Sequence, residues 1–503
     1  MSRISVAPAR QLGAIDRKVF GGFVEHLGRC VYGGLYEEGS PLSDGRGFRE
    51  DVLGLLRDLR LGTLRWPGGN FASNYHWQDG IGPQDARPRR PELAWGGEES
   101  NRFGTDEFLA YCAELGTEPY ICLNMGTGTL EEALAWVEYC NSARDTYWAA
   151  RRRANGRGEP YGVRYWALGN EMYGDWQVGA MSAEEYVREA TRWARAIRML
   201  DPAARLVGCG ETGWTDWDRI VTEGLAGLVD YHSIHLYTGS DDYWTNVLQP
   251  HQAERAIRSA AALLERAAYR RGLDRVPRIA YDEWNVWYRV MTVDLAERYT
   301  FADALAVATY LNIFVRNSRW VAMANLAQMV NAIAPIVATP ETAVVQPIYY
   351  PVLLHARAAL DAAADVHVEG ETVRPELPPD ASRWPYRVAD LGPFTLVDAA
   401  ASVSANDVNA NNSVNANNRR VAVTLVNRSL SAEPARIVLR DFVFDGAAAV
   451  TTVTAGGPAD PRPLADVAAA HLEEGSEHPL GGTVELALPP QSFTVVEAAI
   501  TAS

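Results

Sequence analysis

Tyr165-Trp166-Ala167-Leu168-Gly169-Asn170-Glu171 sets the reading of the whole chain. Four apolar residues without polar alternation describe a strand covered on both faces, as strands of a parallel sheet are. A glycine closes the run, and an amide and a carboxylate follow at its end. Ser182 with Glu185 then forms a capping box ahead of a long helix, and Leu206–Cys209 starts the next apolar run. Strand, polar loop and covering helix make one β/α unit. The same tempo extends in both directions, through Val19–Glu25, Thr63–Pro67, Pro119–Asn124, Tyr165–Gly169, Leu206–Cys209, Tyr231–Tyr237, Arg278–Glu283 and Val321–Gln328. Between the first two, Asp51 to Leu59 carries Val52, Leu55, Leu56 and Leu59 on one helical stripe. Eight such units predict an α/β fold closed as a (β/α)8 TIM barrel over residues 14–355. An open doubly wound sheet ranks second because the count is eight.

Beyond about residue 356 the helical periodicity fades. Short alternating stretches replace it: Phe394–Asp398, Val421–Asn427, Ala435–Leu439, Thr483–Leu488 and Ser492–Glu497, separated by Gly, Pro and Asp. They predict a C-terminal β-sandwich of jelly-roll type over 356–503, to which residues 1–13 add a strand through the alternation of Arg3–Val6. Residues 402–418 repeat Asn, Val, Ser and Ala with almost no charge and no large side chain, and are expected to form a flexible insertion.

The bulk composition narrows the partners. A chain of 503 residues with 47% apolar content can bury a large core. Its formal net charge of −16 disfavours nucleic acid and anionic membranes, which need a basic face, and favours a neutral substrate. The stretch Met1 to Gln11 lacks a signal-like apolar run and no later run reaches the length of a membrane span, so the expectation is a cytoplasmic protein. Five scattered cysteines, never in a CxxC pair, point to reduced core thiols.

In a barrel of this kind functional side chains collect at the C-terminal ends of the strands. Those ends carry Glu25-His26, Arg65 with Gly68-Gly69-Asn70, Asn124, Asn170-Glu171, His235 and Tyr237, Asp282-Glu283, and Asn325 with Gln328. Glu171 and Glu283 each follow an apolar run and sit beside aromatic residues. Two carboxylates on separate walls of one cleft suit cleavage of a glycosidic bond, one arriving protonated and the other ionised. For a single strand-end glutamate an ion pair, for instance with Arg65, is an equal reading; the rest of the ring weighs against it. A carboxyl separation of about 5–5.5 Å would predict retention of anomeric configuration, and about 6.5–9.5 Å inversion.

The phrases Phe20-Gly21-Gly22-Phe23-Val24-Glu25-His26, Leu64-Arg65-Trp66-Pro67-Gly68-Gly69-Asn70, Ala167-Leu168-Gly169-Asn170-Glu171, Tyr281-Asp282-Glu283-Trp284-Asn285 and Met323-Ala324-Asn325-Leu326-Ala327-Gln328 resemble those of glycoside hydrolase family 51, the intracellular α-L-arabinofuranosidases. The resemblance spans almost the whole chain. It implies a retaining exo-hydrolase of arabino-oligosaccharides with Glu171 as acid/base and Glu283 as nucleophile. It also implies that Glu25, Asn70, Asn170, Tyr237 and Gln328 bind the sugar hydroxyls, that Arg65 and His235 support the nucleophile, and that the protein is a homo-oligomer, often a hexamer. Asn170 has a rationale of its own: a neutral amide beside the acid can bond the sugar 2-hydroxyl without disturbing the acid's proton. The Asn-rich tract is not part of the family pattern.

Sugars present apolar C–H faces to aromatic rings, and Trp95 in Ala94-Trp95-Gly96-Gly97 is the candidate loop residue over the leaving group. Three other motifs read as decoys. Gly126-Thr127-Gly128 has Glu131 where a dinucleotide-binding turn needs its third glycine. His232 and His235 point to opposite strand faces, so no metal is implied. Ser233 beside His235 lacks an oriented third member. No cofactor is expected. Two alternatives stay open: another barrel glycosidase such as a β-xylosidase or endoglucanase, and a sugar-binding barrel without catalysis.

Overall fold

The computed structural model describes residues 1–292, 294–375, 388–405, 419–456, 468 and 470–503, with the backbone of 407–408 and 414–415. Eight parallel strands close a barrel: β1 Gly21–Phe23, β2 Thr63–Trp66, β3 Glu118–Cys122, β4 Tyr165–Leu168, β5 Arg205–Gly208, β6 Tyr231–Thr238, β7 Arg278–Val286 and β8 Val321–Ala327. They pair in chain order, with β8 hydrogen-bonded back to β1, which is the (β/α)8 topology rather than an open sheet. The strands are buried on both faces, as their unbroken apolar runs require. Inside, Tyr120, Tyr165, Tyr231 and Met323 interleave with Ala167, Val207, Ala280 and Ala322, large against small, to fill the lumen.

The first strand is shorter than its apolar run. Val19 and Phe20 lie in a 3-10 turn, Arg17–Phe20, because the Asp16 side chain accepts the Lys18 N–H and caps it. The covering helices follow their sequence signals. Ser182 and Glu185 form the reciprocal capping box ahead of Ala183–Leu200, and Thr215 with Asp218 does the same ahead of Asp216–Leu225. Helix Phe301–Arg316 is buried at every position from Ala304 to Val315, since one side packs on the barrel and another on the C-terminal sheet.

That sheet has nine strands in the order Ala470–Glu477, Phe442–Ala455, Ser492–Ala502, Arg419–Asn427, Val397–Val403, Ala362–Glu369, Ser2–Ala14, Glu433–Leu439 and Thr483–Leu488. Strands from its two ends touch, so the sheet rolls over a core of its own that includes Ile4, Val6, Val423, Ile437 and Val496. The chain's first strand runs antiparallel to Ala362–Glu369 and parallel to Glu433–Leu439, which seats it between them. A polar seam joins the two bodies: Arg316 bonds Asp398 at 3.0 Å and Glu254 at 2.9 Å, and Asn312 donates to Asp398.

Ser402 and Val403 end the strand Val397–Val403; most of the Asn-rich tract, on which the expectation of flexibility rests, lies outside the described residues. All five cysteines are buried as free thiols. Among the described residues no helix is long and apolar enough to cross a membrane.

Candidate active site

The polar strand ends meet at one mouth of the barrel. On β7 three residues oppose two on each neighbour: Ala280 pairs with Ser233 and Glu283 with His235, while Tyr281 pairs with Ala324 and Trp284 with Leu326. The extra residue re-aims the strand, so the consecutive Asp282 and Glu283 both turn towards the axis. After β4, Gly169 takes φ +78° and Glu171 itself takes φ +45°. The left-handed conformation of a glutamate costs of order 1 kcal/mol and is held by its surroundings.

Glu283 accepts from Tyr237 Oη at 2.8 Å on Oε1 and from Arg65 Nη1 at 3.1 Å on Oε2. Glu171 accepts from Tyr173 Oη at 3.2 Å and Trp176 Nε1 at 3.1 Å, and faces His235 Nδ1 at 3.0 Å. An oxygen of Glu171, an oxygen of Glu283 and a ring nitrogen of His235 all lie within 4.8 Å of one another. The two carboxyl groups thus approach one another closely, on the side of the scale where the second carboxylate reaches the sugar itself. Two carboxylates and an imidazole are also a donor set that could hold a metal ion; His235 Nδ1 lies 3.0 Å from Glu171 and 3.5 Å from Glu283.

Arg65, fully buried, ties the wall together. Besides Glu283 it donates to the Asp282 carbonyl at 2.8 Å and to Asn170 Oδ1, and its guanidinium sits 4.4 Å from the centre of the Phe23 ring. Asn170 is thereby oriented, and its Nδ2 finds no partner among the described residues. Gln177 bonds the Asn170 carbonyl at 2.7 Å and Asn70 Oδ1 at 3.2 Å, linking two of the expected binding amides.

Glu25 receives Phe71 N–H and Trp95 Nε1 on one oxygen and Gln328 Nε2 on the other, each at 3.0 Å. Gly68 and Gly69 allow this approach: a Cβ on Gly68 would stand 2.9 Å from Glu25 Cγ, and one on Gly69 3.5 Å from Glu283 Oε2. Trp95 rides a hairpin, Arg90–Pro91 against Glu98–Glu99, whose turn is held by Glu92 accepting the Ala94 and Trp95 N–H groups. Its indole N–H meets Glu25, across the mouth from Glu171.

The charges act on one another. Burial pushes Glu25 up to about 7, reinforced by the charge of Glu283. Burial opposes a charge on His235, but Glu283, Asp282 and Glu171 outweigh it and raise the imidazole to about 10. Burial would raise Glu171 too, yet the hydrogen bond and charge of His235 bring it below the ordinary glutamate value. Burial and the nearby charge of Glu171 leave Glu283 raised, against the pull of His235 and Arg65. Asp282, though buried, is held well below the carboxylate range by Arg65, His235 and Ser233.

All ten residues singled out in the sequence line this mouth or contact a residue that does. Asp282, Tyr173, Trp176 and Gln177 join them without having been assigned roles. Asp282 accepts from Tyr120 at 2.6 Å and Ser233 at 2.5 Å, beneath the two glutamates. Its signal was its place beside Glu283 after an apolar run; the other three follow Glu171 within six residues, in a loop whose conformation no periodicity describes. The remaining strand-end residues are structural: His26 faces Glu99 at 3.0 Å and accepts from Trp66 Nε1, Asn124 caps the turn at Gly126 and Thr127, and Asn325 bonds Gly22 and Thr63; His232, further back on β6, pairs with buried Asp218 at 2.8 Å.

Comparison with known proteins finds relatives along most of the chain. The family model for the alpha-L-arabinofuranosidase 1 domain matches residues 55–255, and that for the alpha-L-arabinofuranosidase C-terminal domain matches residues 282–441. Alpha-L-arabinofuranosidase C of Emericella nidulans is 48% identical over 392 residues, covering 73% of this chain and 78% of the relative. Intracellular exo-alpha-(1->5)-L-arabinofuranosidase 1 of Bacillus subtilis is 37% identical over 423 residues, 80% of this chain and 82% of the relative. The crystal structure of the alpha-L-arabinofuranosidase from Thermotoga maritima in its arabinose complex is similar with a TM-score of 0.86 at 39% identity, covering 99% of this chain and 100% of that one.

Proposed function

The chain belongs to the α-L-arabinofuranosidases of glycoside hydrolase family 51, and from that membership we propose that it removes terminal non-reducing α-L-arabinofuranosyl residues from arabino-oligosaccharides with retention of configuration. The observation that carries the mechanism is the approach of the two carboxyls, within 4.8 Å between oxygens. At that distance the second carboxylate attacks the anomeric carbon itself. Glu283, held by Arg65 and Tyr237, is the nucleophile; Glu171 gives its proton to the leaving oxygen and then takes one from water. Asn170, with its free amide N–H, meets the sugar beside the acid, and Glu25, Asn70, Tyr237 and Gln328 bind the other hydroxyls. Trp95 and Trp176 flank the mouth from the Glu25 and Glu171 sides.

Initial rates on aryl α-L-arabinofuranoside against aryl β-D-xyloside test the substrate; an equal or reversed preference would overturn it in favour of a β-xylosidase. Proton NMR of the first sugar released tests retention, and inversion would remove Glu283 as nucleophile. A cytoplasmic homo-oligomer is the setting we propose for the enzyme, with light scattering as the measure of its subunit number.

A further inference from the structure

Both ring nitrogens of His235 face carboxylates. Nδ1 lies 3.0 Å from Glu171 Oε1 and 3.5 Å from Glu283 Oε2, and Nε2 lies 3.4 Å from Asp282 Oδ1. A neutral imidazole would turn a lone pair on one of these anions; an imidazolium donates at both ends. The groups around it come from every wall. Ser233 and Tyr120 bond Asp282, Tyr237 and Arg65 bond Glu283, and Tyr173 and Trp176 bond Glu171. Glu25 lies behind Glu283 across Gly69, and Glu211, whose carbonyl takes the His235 backbone N–H at 2.8 Å, stands on the β5 side. Arg65 is the cation among them, and its hydrogen bonds go to Glu283, Asp282 and Asn170 rather than to Glu171.

Glu171 itself has three donors on its two oxygens: His235 and Tyr173 on Oε1, Trp176 on Oε2. That many donors stabilise a carboxylate and leave a carboxylic proton no acceptor. The residue that must deliver a proton is therefore built to rest without one. We propose that His235 is the proton store of the site, holding between Asp282 and Glu171 the proton that Glu171 passes to the leaving group. The assignment rests on the reading of Glu171 as acid/base.

In the first half-reaction the C1–O bond of the substrate breaks and a bond from Glu283 to C1 forms. The proton on His235 Nδ1 moves to Glu171, which gives one to the departing oxygen, leaving a neutral imidazole and an ionised Glu171. In the second, water adds to C1 as the bond to Glu283 breaks; Glu171 takes the water's proton and His235 Nδ1 recovers it. Protons and charge return to their starting place. Asp282, buried and anionic, keeps the imidazolium in register at the far nitrogen and acts as a positioning residue. The linked titration of His235 and Glu171 agrees, with the imidazole raised and the carboxyl lowered.

The test is the pH profile of His235→Gln and Asp282→Asn on two substrates, an alkyl arabinofuranoside that needs a proton and a dinitrophenyl arabinofuranoside that does not. Gln at 235 keeps a hydrogen-bond donor but stores no proton. We expect its kcat on the alkyl glycoside to fall about 100-fold further than on the activated glycoside, whose own loss reports the weaker hold on Glu283, and its alkaline limb to move to lower pH. Asp282→Asn, which leaves the Nδ1 contact in place, should move the same limb in the same direction, and is read alone if His235→Gln does not fold. Equal losses on both substrates, or an alkaline limb unmoved, would overturn the proposal. Azide added to Glu171→Ala separates the premise: a glycosyl azide product upholds the acid/base reading whatever His235 does, and no such product removes premise and proposal together.

Discussion

Arg65 Nη1 stands 3.1 Å from Glu283 Oε2, with both side chains removed from water in the wall of the barrel. A guanidinium at that distance favours the ionised carboxylate over its acid, against the burial and the charge of Glu171 that push the other way. Removing it leaves Glu283 harder to ionise and Asp282 without its main counter-charge. Arg65→Met should lower kcat/KM at least about 100-fold, on the scale of a buried ion pair losing one partner. The sign for pH follows: with Glu283 raised further, the acid limb of kcat/KM moves to higher pH. A variant that is slow but keeps the wild-type acid limb would show that Arg65 only shapes the pocket.

Glu171→Ala separates substrates by their need for a proton. A general acid contributes about 10²–10⁴-fold, so loss of that order is expected on alkyl arabinofuranosides. Dinitrophenyl arabinofuranoside should still form the glycosyl-enzyme quickly and then stall, giving a burst followed by slow turnover. Uniform loss on both substrates, without a burst, would place the acid elsewhere.

Burial brings the Glu25 carboxyl up to about 7, and its partners are Phe71, Trp95 and Gln328. The free enzyme should therefore show an ionisation near neutral pH in kcat/KM that Glu25→Gln abolishes. Trp95→Phe keeps the ring and removes the indole donor; with one hydrogen bond to the ionised form gone, that ionisation moves to higher pH. A profile indifferent to both substitutions would mean that Glu25 keeps one protonation state throughout.

The barrel was legible because its strands are covered on both faces and leave unbroken apolar runs such as Tyr165–Leu168, several of them followed by a helix with a side-chain cap, as at Thr129, Ser182, Thr215 and Thr300. The sheet domain was legible only in part. Thr483–Leu488 alternates cleanly and was found at its full length, whereas Phe442–Ala455 bulges between Asp445 and Ala449, its pairing partner Ala470–Glu477 is acidic and mostly exposed, and Ala362–Glu369 opens on three alanines that read equally as helix. In the site, strand-end position revealed Glu25, Arg65, Asn170, Glu171, His235 and Glu283 because a parallel strand aims its last residues at the mouth. Asp282 stands at a strand end as well, but strict alternation sends one of two neighbours outwards, and only the extra residue on β7 brings both in. Gln177 bonds through a loop, where spacing carries no direction.

The seam between barrel and sheet makes stability depend on pH far from the catalytic groups. His251 is buried, stacked at 4.5 Å on Phe394, and its Nε2 takes a hydrogen bond from Arg428 Nη1 at 2.9 Å, so the ring must be neutral there. Burial and the Arg428 charge push it down to about 4 from its ordinary 6.5. Between those values the unfolded chain binds a proton that the folded one refuses, so the contribution is fully present above about pH 6.5 and is lost as pH falls towards 4. Its size is about 3 kcal/mol over that window. His251→Asn can keep an acceptor for Arg428 but cannot titrate. Urea unfolding followed from pH 7 to about 4 should therefore show a shallower decline for His251→Asn than for the wild type, even if the variant starts less stable. Parallel declines would mean that the imidazole reaches water before the seam opens, and that Asp398, held near 2 by Arg316 and Arg428, governs the acid sensitivity at still lower pH.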